Sequence, residues 1–68
     1  MEIFVREVRK SKQMTLSELS RRSGVSKAHI SYIENKKEIP TIYVLCALAK
    51  ALEVSVYELF SCDNEQQY

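Results

Sequence analysis

Few side chains in this sequence could carry covalent chemistry. His29 is the single histidine and has no Cys, Asp or Glu at metal-ligand spacing, while Cys46 and Cys62 sit in no C-x-x-C or Cys/His cluster. A nucleophile-and-base pair would need Cys46 or a serine beside His29, and neither an oxyanion-hole motif nor a Gly-rich phosphate loop stands in the chain. Catalysis has no foothold, and neither a metal nor a cofactor nor a small-molecule ligand is implied. The two thiols read as reduced cysteines of a cytoplasmic protein, and His29 as a packing residue between the second and third helices.

What remains is charge. The formal net charge is only +1, yet residues 1–37 carry nine Lys/Arg against four Glu, and residues 38–68 carry one Lys against five acids. A chain polarised in this way can bind an anion with one half only. Lys27, Lys36 and Lys37 bracket one short stretch of the cationic half, whereas Arg21 and Arg22 read as a solvated helix face with long-range attraction alone.

These side chains must be positioned by a very small scaffold. Sixty-eight residues, 46% of them hydrophobic and 28% charged, suit one domain over 1–68, with a core over about 3–60 and a polar tail over 61–68. A single Gly and a single Pro leave little punctuation for a sandwich or barrel, so the expected class is all-α with five short helices. The start lacks the unbroken apolar run of a signal peptide, and no stretch is long and apolar enough for a membrane span.

The periodicity predicts a first helix over 3–12, with Ile3, Phe4, Val5 and Val8 near one face. Thr15-Leu-Ser-Glu18 reads as a capping box that starts a second helix at Leu16. Gly24 suits a left-handed helix end, and Ser26 is a good N-cap for a third helix running to about Asn35. Pro40-Thr41 opens a fourth helix through Leu52, with Ile42, Leu45, Cys46, Leu48, Ala49 and Leu52 as its buried positions. A second box, Ser55-Val-Tyr-Glu58, predicts a fifth helix ending near Phe60.

Arg9, Met14-Thr15, Leu19, Gly24-Val25-Ser26, Ile30-Ser31, Ile33-Glu34-Asn35, Pro40, Leu45, Ala49, Ala51-Leu52, Val54-Ser55 and Glu58-Leu59 form one spaced set. In this set the chain resembles the phage-repressor (Cro/CI-like, XRE) family of helix-turn-helix proteins over roughly residues 5 to 60. The resemblance implies a lambda-repressor-like DNA-binding domain. The family commonly has Gln where Leu16 stands, Ala where Ser20 stands and Gly where Lys36 stands. Lys36 must then adopt a left-handed conformation that Gly would take at no steric cost, or the end of the third helix is rearranged.

A major groove about 12 Å wide admits one α-helix, whose N-terminal side chains reach base edges while the preceding helix crosses the backbone. The resemblance places Lys27, Ala28 and Tyr32 of the third helix at the base-facing positions, with Ser31 and Asn35 adjoining. Helix N-termini bind phosphate through free amides, which brings in Thr15, Leu16 and Ser26. Asn35, Lys36 and Lys37 should flank the groove, and Thr41 and Tyr43 should meet the far phosphate. The family's usual pairing makes Arg9 and Glu34 a structural ion pair.

A globule of this length, with a radius of gyration of about 11 Å, presents one recognition helix. Two helices about 34 Å apart read an inverted repeat, which calls for a homodimer. Its face should lie on the fifth helix and the preceding loop, where Val54, Val56, Tyr57 and Phe60 offer apolar surface, unless Val54, Val56 and Phe60 complete the core. The expectation is therefore a transcriptional repressor binding double-stranded DNA, no enzyme and no membrane protein. An antitoxin or a restriction-modification controller of the same fold stays open, as does a protein-interaction adaptor.

Overall fold

Thr15, Ser26 and Thr41 each stand in extended backbone and each begin a helix. Their hydroxyl oxygens accept the backbone N–H of Glu18, His29 and Val44 at 3.1, 3.1 and 3.2 Å. Each bond satisfies one of the donors that a helix start leaves unpaired. The computed structural model describes residues 1–62. Along it run β1 (Glu2–Ile3), α1 (Val5–Ser11), α2 (Leu16–Ser23), α3 (Lys27–Glu34), α4 (Ile42–Leu52), a 3-10 turn (Val56–Glu58) and β2 (Phe60–Ser61). The class is the all-α one, with four helices among the described residues where five were expected.

Left-handed residues end all four of these helices or follow them closely. Gly24 (φ 80°) closes α2 and Glu53 (φ 60°) closes α4, while Gln13 (φ 57°) sits just after α1. Lys36 (φ 61°) follows α3, and the bonds around it form a complete Schellman motif: Lys37 N donates to Tyr32 O at 2.8 Å and Lys36 N to Ile33 O at 3.1 Å. The helix thus keeps its usual ending with lysine at the position that favours glycine.

Val5, Leu19, Ile30, Ile33, Leu45, Leu48, Ala49, Leu52 and Leu59 make one contiguous core. All four helices contribute, so each is held by the face it buries. Full burial of one such Leu or Ile side chain stabilises by roughly 1.5–3 kcal/mol. α4 buries Leu45, Leu48, Ala49 and Leu52, but Ile42 and Cys46 are exposed, contrary to the pattern read from the sequence. Ile42 lies on the buried stripe yet beyond the end of the core, and Cys46 is turned about 100° from Leu45.

The two chain ends depart most from expectation. Residues 2 and 3 are not helical: Glu2 pairs with Ser61 and Ile3 with Phe60 in an antiparallel ribbon, and Phe4 N donates to Leu59 O at 2.7 Å. The same pairing shortens the expected fifth helix to one 3-10 turn. There the Ser55 hydroxyl accepts from Tyr57 N at 3.2 Å instead of completing a capping box, and Leu59 drops into the core. Of the tail expected over 61–68, Ser61 belongs to β2 and residues 63–68 lie outside the described residues. No helix among the described residues is long and apolar enough to cross a membrane.

Candidate nucleic-acid interface

α3 divides cleanly by exposure. Ile30 and Ile33 are fully buried, and Lys27, Ala28, Tyr32 and Asn35 are exposed with Ser31 half-buried between them. At about 100° per residue, positions 27, 28, 31, 32 and 35 fall within an arc of roughly 140°, opposite the core. Tyr32 leaves 52% of its surface open, so its ring stands out of the fold.

Two helix starts adjoin this arc, that of α3 itself and that of α2. The Thr15 and Ser26 hydroxyls take the amides of Glu18 and His29, and the carbonyls of the same two residues take those of Leu19 and Ile30. The amides of Leu16, Ser17, Lys27 and Ala28 then have no acceptor among the described residues. Four donors at the positive ends of two eight-residue helices are suited to phosphate oxygens. Lys27 Nζ donates to the Ser17 hydroxyl at 3.2 Å and so ties the first turn of α3 to the first turn of α2.

The far end of α3 is anchored by charge. Arg9 grips Glu34 with two nitrogens, Nε at 2.8 Å and Nη2 at 3.0 Å, and its Nη1 donates to Met14 O at 3.0 Å. The Glu34 side chain is only 2% exposed. Its hydrogen bond to Arg9 raises the guanidinium above its ordinary value, and the Coulombic attraction of Glu34 adds to this while burial opposes it. Arg6, which sequence reasoning passed over, lies one turn before Arg9 and reaches the same carboxylate at 3.5 Å. It also donates to Asn35 Oδ1 at 2.7 Å. The available signal was its i, i+3 spacing from Arg9, which puts both guanidiniums on one face of α1.

Other residues singled out from the sequence are spread along the surface beyond α3. Lys36 and Lys37 are exposed in the turn after it, and Thr41 and Tyr43 are exposed at the start of α4, with Tyr43 84% open. His29 does not lie between α2 and α3. Its Nε2 stands 3.8 Å from a carboxylate oxygen of Glu38, because its place on the helix turns it toward the following loop. Arg22 and Arg21 lie 2.8 and 3.8 Å from Glu18 on α2. Val54, Val56 and Phe60 pack half-buried against the core, so Tyr57, 80% open and 6.3 Å from the Phe60 ring, is the one exposed member of that set. No three His, Cys, Asp or Glu side chains among the described residues gather closely enough to hold a metal.

A helix-turn-helix family profile matches residues 5–59, from the first turn of α1 to the core residue Leu59. The chain is 37% identical over 65 residues to the HTH-type transcriptional regulator SinR of Bacillus licheniformis and to that of Bacillus subtilis, covering 94% of this chain and 59% of each relative. It therefore spans about three-fifths of the length of these relatives. An HTH-type transcriptional regulator of Sinorhizobium fredii is 36% identical over 61 residues, covering 90% of this chain and 79% of that one. Among solved structures, the N-terminal DNA binding domain of SinR from Bacillus subtilis matches with a TM-score of 0.78 and 35% identity over 90% of both chains. Matching the order of the helices, the turn and the core alike, this chain belongs to the XRE-type helix-turn-helix family, whose members are DNA-binding regulators and not enzymes.

Proposed function

We propose that this chain is a sequence-specific repressor that lays α3 in the major groove of double-stranded DNA, in the cytoplasm, as a homodimer on an inverted-repeat operator. The observation that carries the reading is the coincidence, on the cationic half, of the exposed α3 arc with four free amides at two helix starts. In this reading Lys27 donates to guanine O6 and N7, Ala28 touches a thymine methyl, and Tyr32 bonds a base edge or a phosphate. Ser31 and Asn35 adjoin them. Thr15, Leu16 and Ser26 serve through the backbone at the helix starts, while Lys36, Lys37, Thr41 and Tyr43 follow the flanking phosphates. In this reading the core over about 3–60 is one helix-turn-helix DNA-binding domain.

The homodimer follows from half-site arithmetic, since one short helix makes too few base contacts to outcompete nonspecific sites. Of the face formed by Val54, Val56, Tyr57 and Phe60, Tyr57 supplies the free aromatic surface and Phe60 its support. Footprinting on fragments selected from genomic DNA, repeated between about 50 and 200 mM salt, tests the proposal. A protected inverted repeat whose affinity falls steeply with salt is expected. A flat salt response, or protection without sequence preference, would overturn it.

A further inference from the structure

Asn35 closes the α3 arc, and its side-chain amide faces three partners inside the protein. Its Oδ1 accepts from Arg6 Nη2 at 2.7 Å, and its Nδ2 donates to Ser31 O at 2.9 Å and to the Ser31 hydroxyl at 3.3 Å. An Asn side chain offers one NH2 donor group and one carbonyl oxygen, and here the nitrogen and one lone pair of the oxygen are engaged. Reading adenine would require the donor and acceptor edge together. That edge is occupied.

Arg6 is set to hold this arrangement. It lies on α1, its side chain is 43% exposed, and Glu34 draws it from the other side at 3.5 Å. Glu34 does not depend on it, because Arg9 already meets both carboxylate oxygens. The short bond from Arg6 to Asn35 is therefore available to orient α3 without being needed to neutralise the buried carboxylate. Arg6 also faces the C-terminal end of α3, where a cation is favoured by the helix dipole.

We infer that Arg6 is a specificity-determining positioning residue: it locks the Asn35 amide onto Ser31 and keeps Asn35 from reading bases. Asn35 then takes no part in reading, and Lys27, Ala28 and Tyr32 discriminate. The inference rests on the DNA-binding reading above, but the lock is a property of the protein alone and can be measured without DNA.

Two experiments test it. Selection from a randomised operator compares wild type, Asn35→Ala, Arg6→Met and Arg6→Lys. Asn35→Ala is expected to keep the wild-type base preferences. Arg6→Met frees the Asn35 amide and is expected to alter preference at the base pair facing the last turn of α3 by about tenfold, the scale of one good side-chain contact. Arg6→Lys, which keeps a cationic donor at this position, is expected to restore the wild-type preference at least in part. A loss of about tenfold in preference at one base pair on Asn35→Ala alone would make Asn35 a direct reader and overturn the inference.

Nuclear magnetic resonance of the free protein gives the independent readout. The Asn35 side-chain amide protons are expected to exchange more slowly in wild type than in Arg6→Met, at unchanged melting temperature. Equal exchange in the two proteins would overturn the lock. A wild type without any base preference would overturn the proposed function, and the amide exchange would still decide whether the lock exists.

Discussion

Glu34 is the residue on which the site leans most heavily, since its carboxylate is nearly sealed from water and two arginines of another helix converge on it. Arg9 makes both short bonds to it, and Arg6 at 3.5 Å compensates only in part, so Arg9→Ala is expected to cost about 3 kcal/mol of stability, measured by urea unfolding. Because the Arg9 guanidinium is held above its ordinary value, its contribution is fully present at every pH below its unfolded value and is lost only in strong alkali. Stability between pH 6 and 9 should carry no slope from Arg9. On the opposite side of α3, Lys27→Ala and Tyr32→Ala are expected to reduce discrimination by roughly 1–3 kcal/mol each, and Lys37→Ala to weaken all sequences alike. Competition binding between operator variants separates the two patterns, and unchanged base preference in Lys27→Ala would move the reading face elsewhere. The sequence alone marked Lys27 as a cation and, through the family resemblance, Arg9 and Glu34 as a pair. Arg6 escaped notice because its partners are 28 and 29 residues away, and only closure of the fold brings them together.

At the scale of elements, the helix-turn-helix was the most legible part, because its signals are local. A hydroxyl cap, a glycine and a second hydroxyl cap set the ends of α2 and the start of α3 through bonds spanning three or four residues. Gly24 provides a clean test of the turn. A Cβ built there meets nothing within 4 Å, so Gly24→Ala should cost only the left-handed backbone penalty, about 1 kcal/mol, with no steric addition. Lys36→Gly is expected to stabilise by a similar amount, about 1 kcal/mol, by relieving the same strain within the Schellman motif. Thermal unfolding of the two variants should therefore move in opposite directions. The short ribbon of β1 and β2 was illegible for the opposite reason, since two-residue strands carry no periodicity and exist only because residues 57 and 59 apart in sequence are brought into register.

At the scale of the whole molecule, one copy has a radius of gyration of 11.8 Å and a single exposed α3 arc, so reading two half-sites requires a second copy. Tyr57 is the more informative position to change, because Phe60 also packs on the core and its loss would weaken the fold. Tyr57→Ser is expected to leave the melting temperature unchanged and to shift sedimentation toward the monomer, with loss of most operator affinity. A variant that still sediments as a dimer would place the interface elsewhere, for instance on the exposed Tyr43 and half-buried Ala47 face of α4.

What the sequence by itself determined are the features that neighbours in the chain decide: the capped starts of α2, α3 and α4 and the glycine end of α2, the apolar stripes of α2 and α3, and the polarity of charge between residues 1–37 and the rest. The all-α class follows from these, since each stripe must be buried against another helix. Tertiary structure alone decided where the stripes stop being covered, which left Ile42 and Cys46 outside the core, and how the chain ends meet, which turned Ile3 from helix to strand. It also decided that Glu34 would gather Arg6 as well as Arg9, and that the Asn35 amide would be occupied. Such outcomes depend on contacts across tens of residues, whose closing entropy is repaid only when the whole core forms.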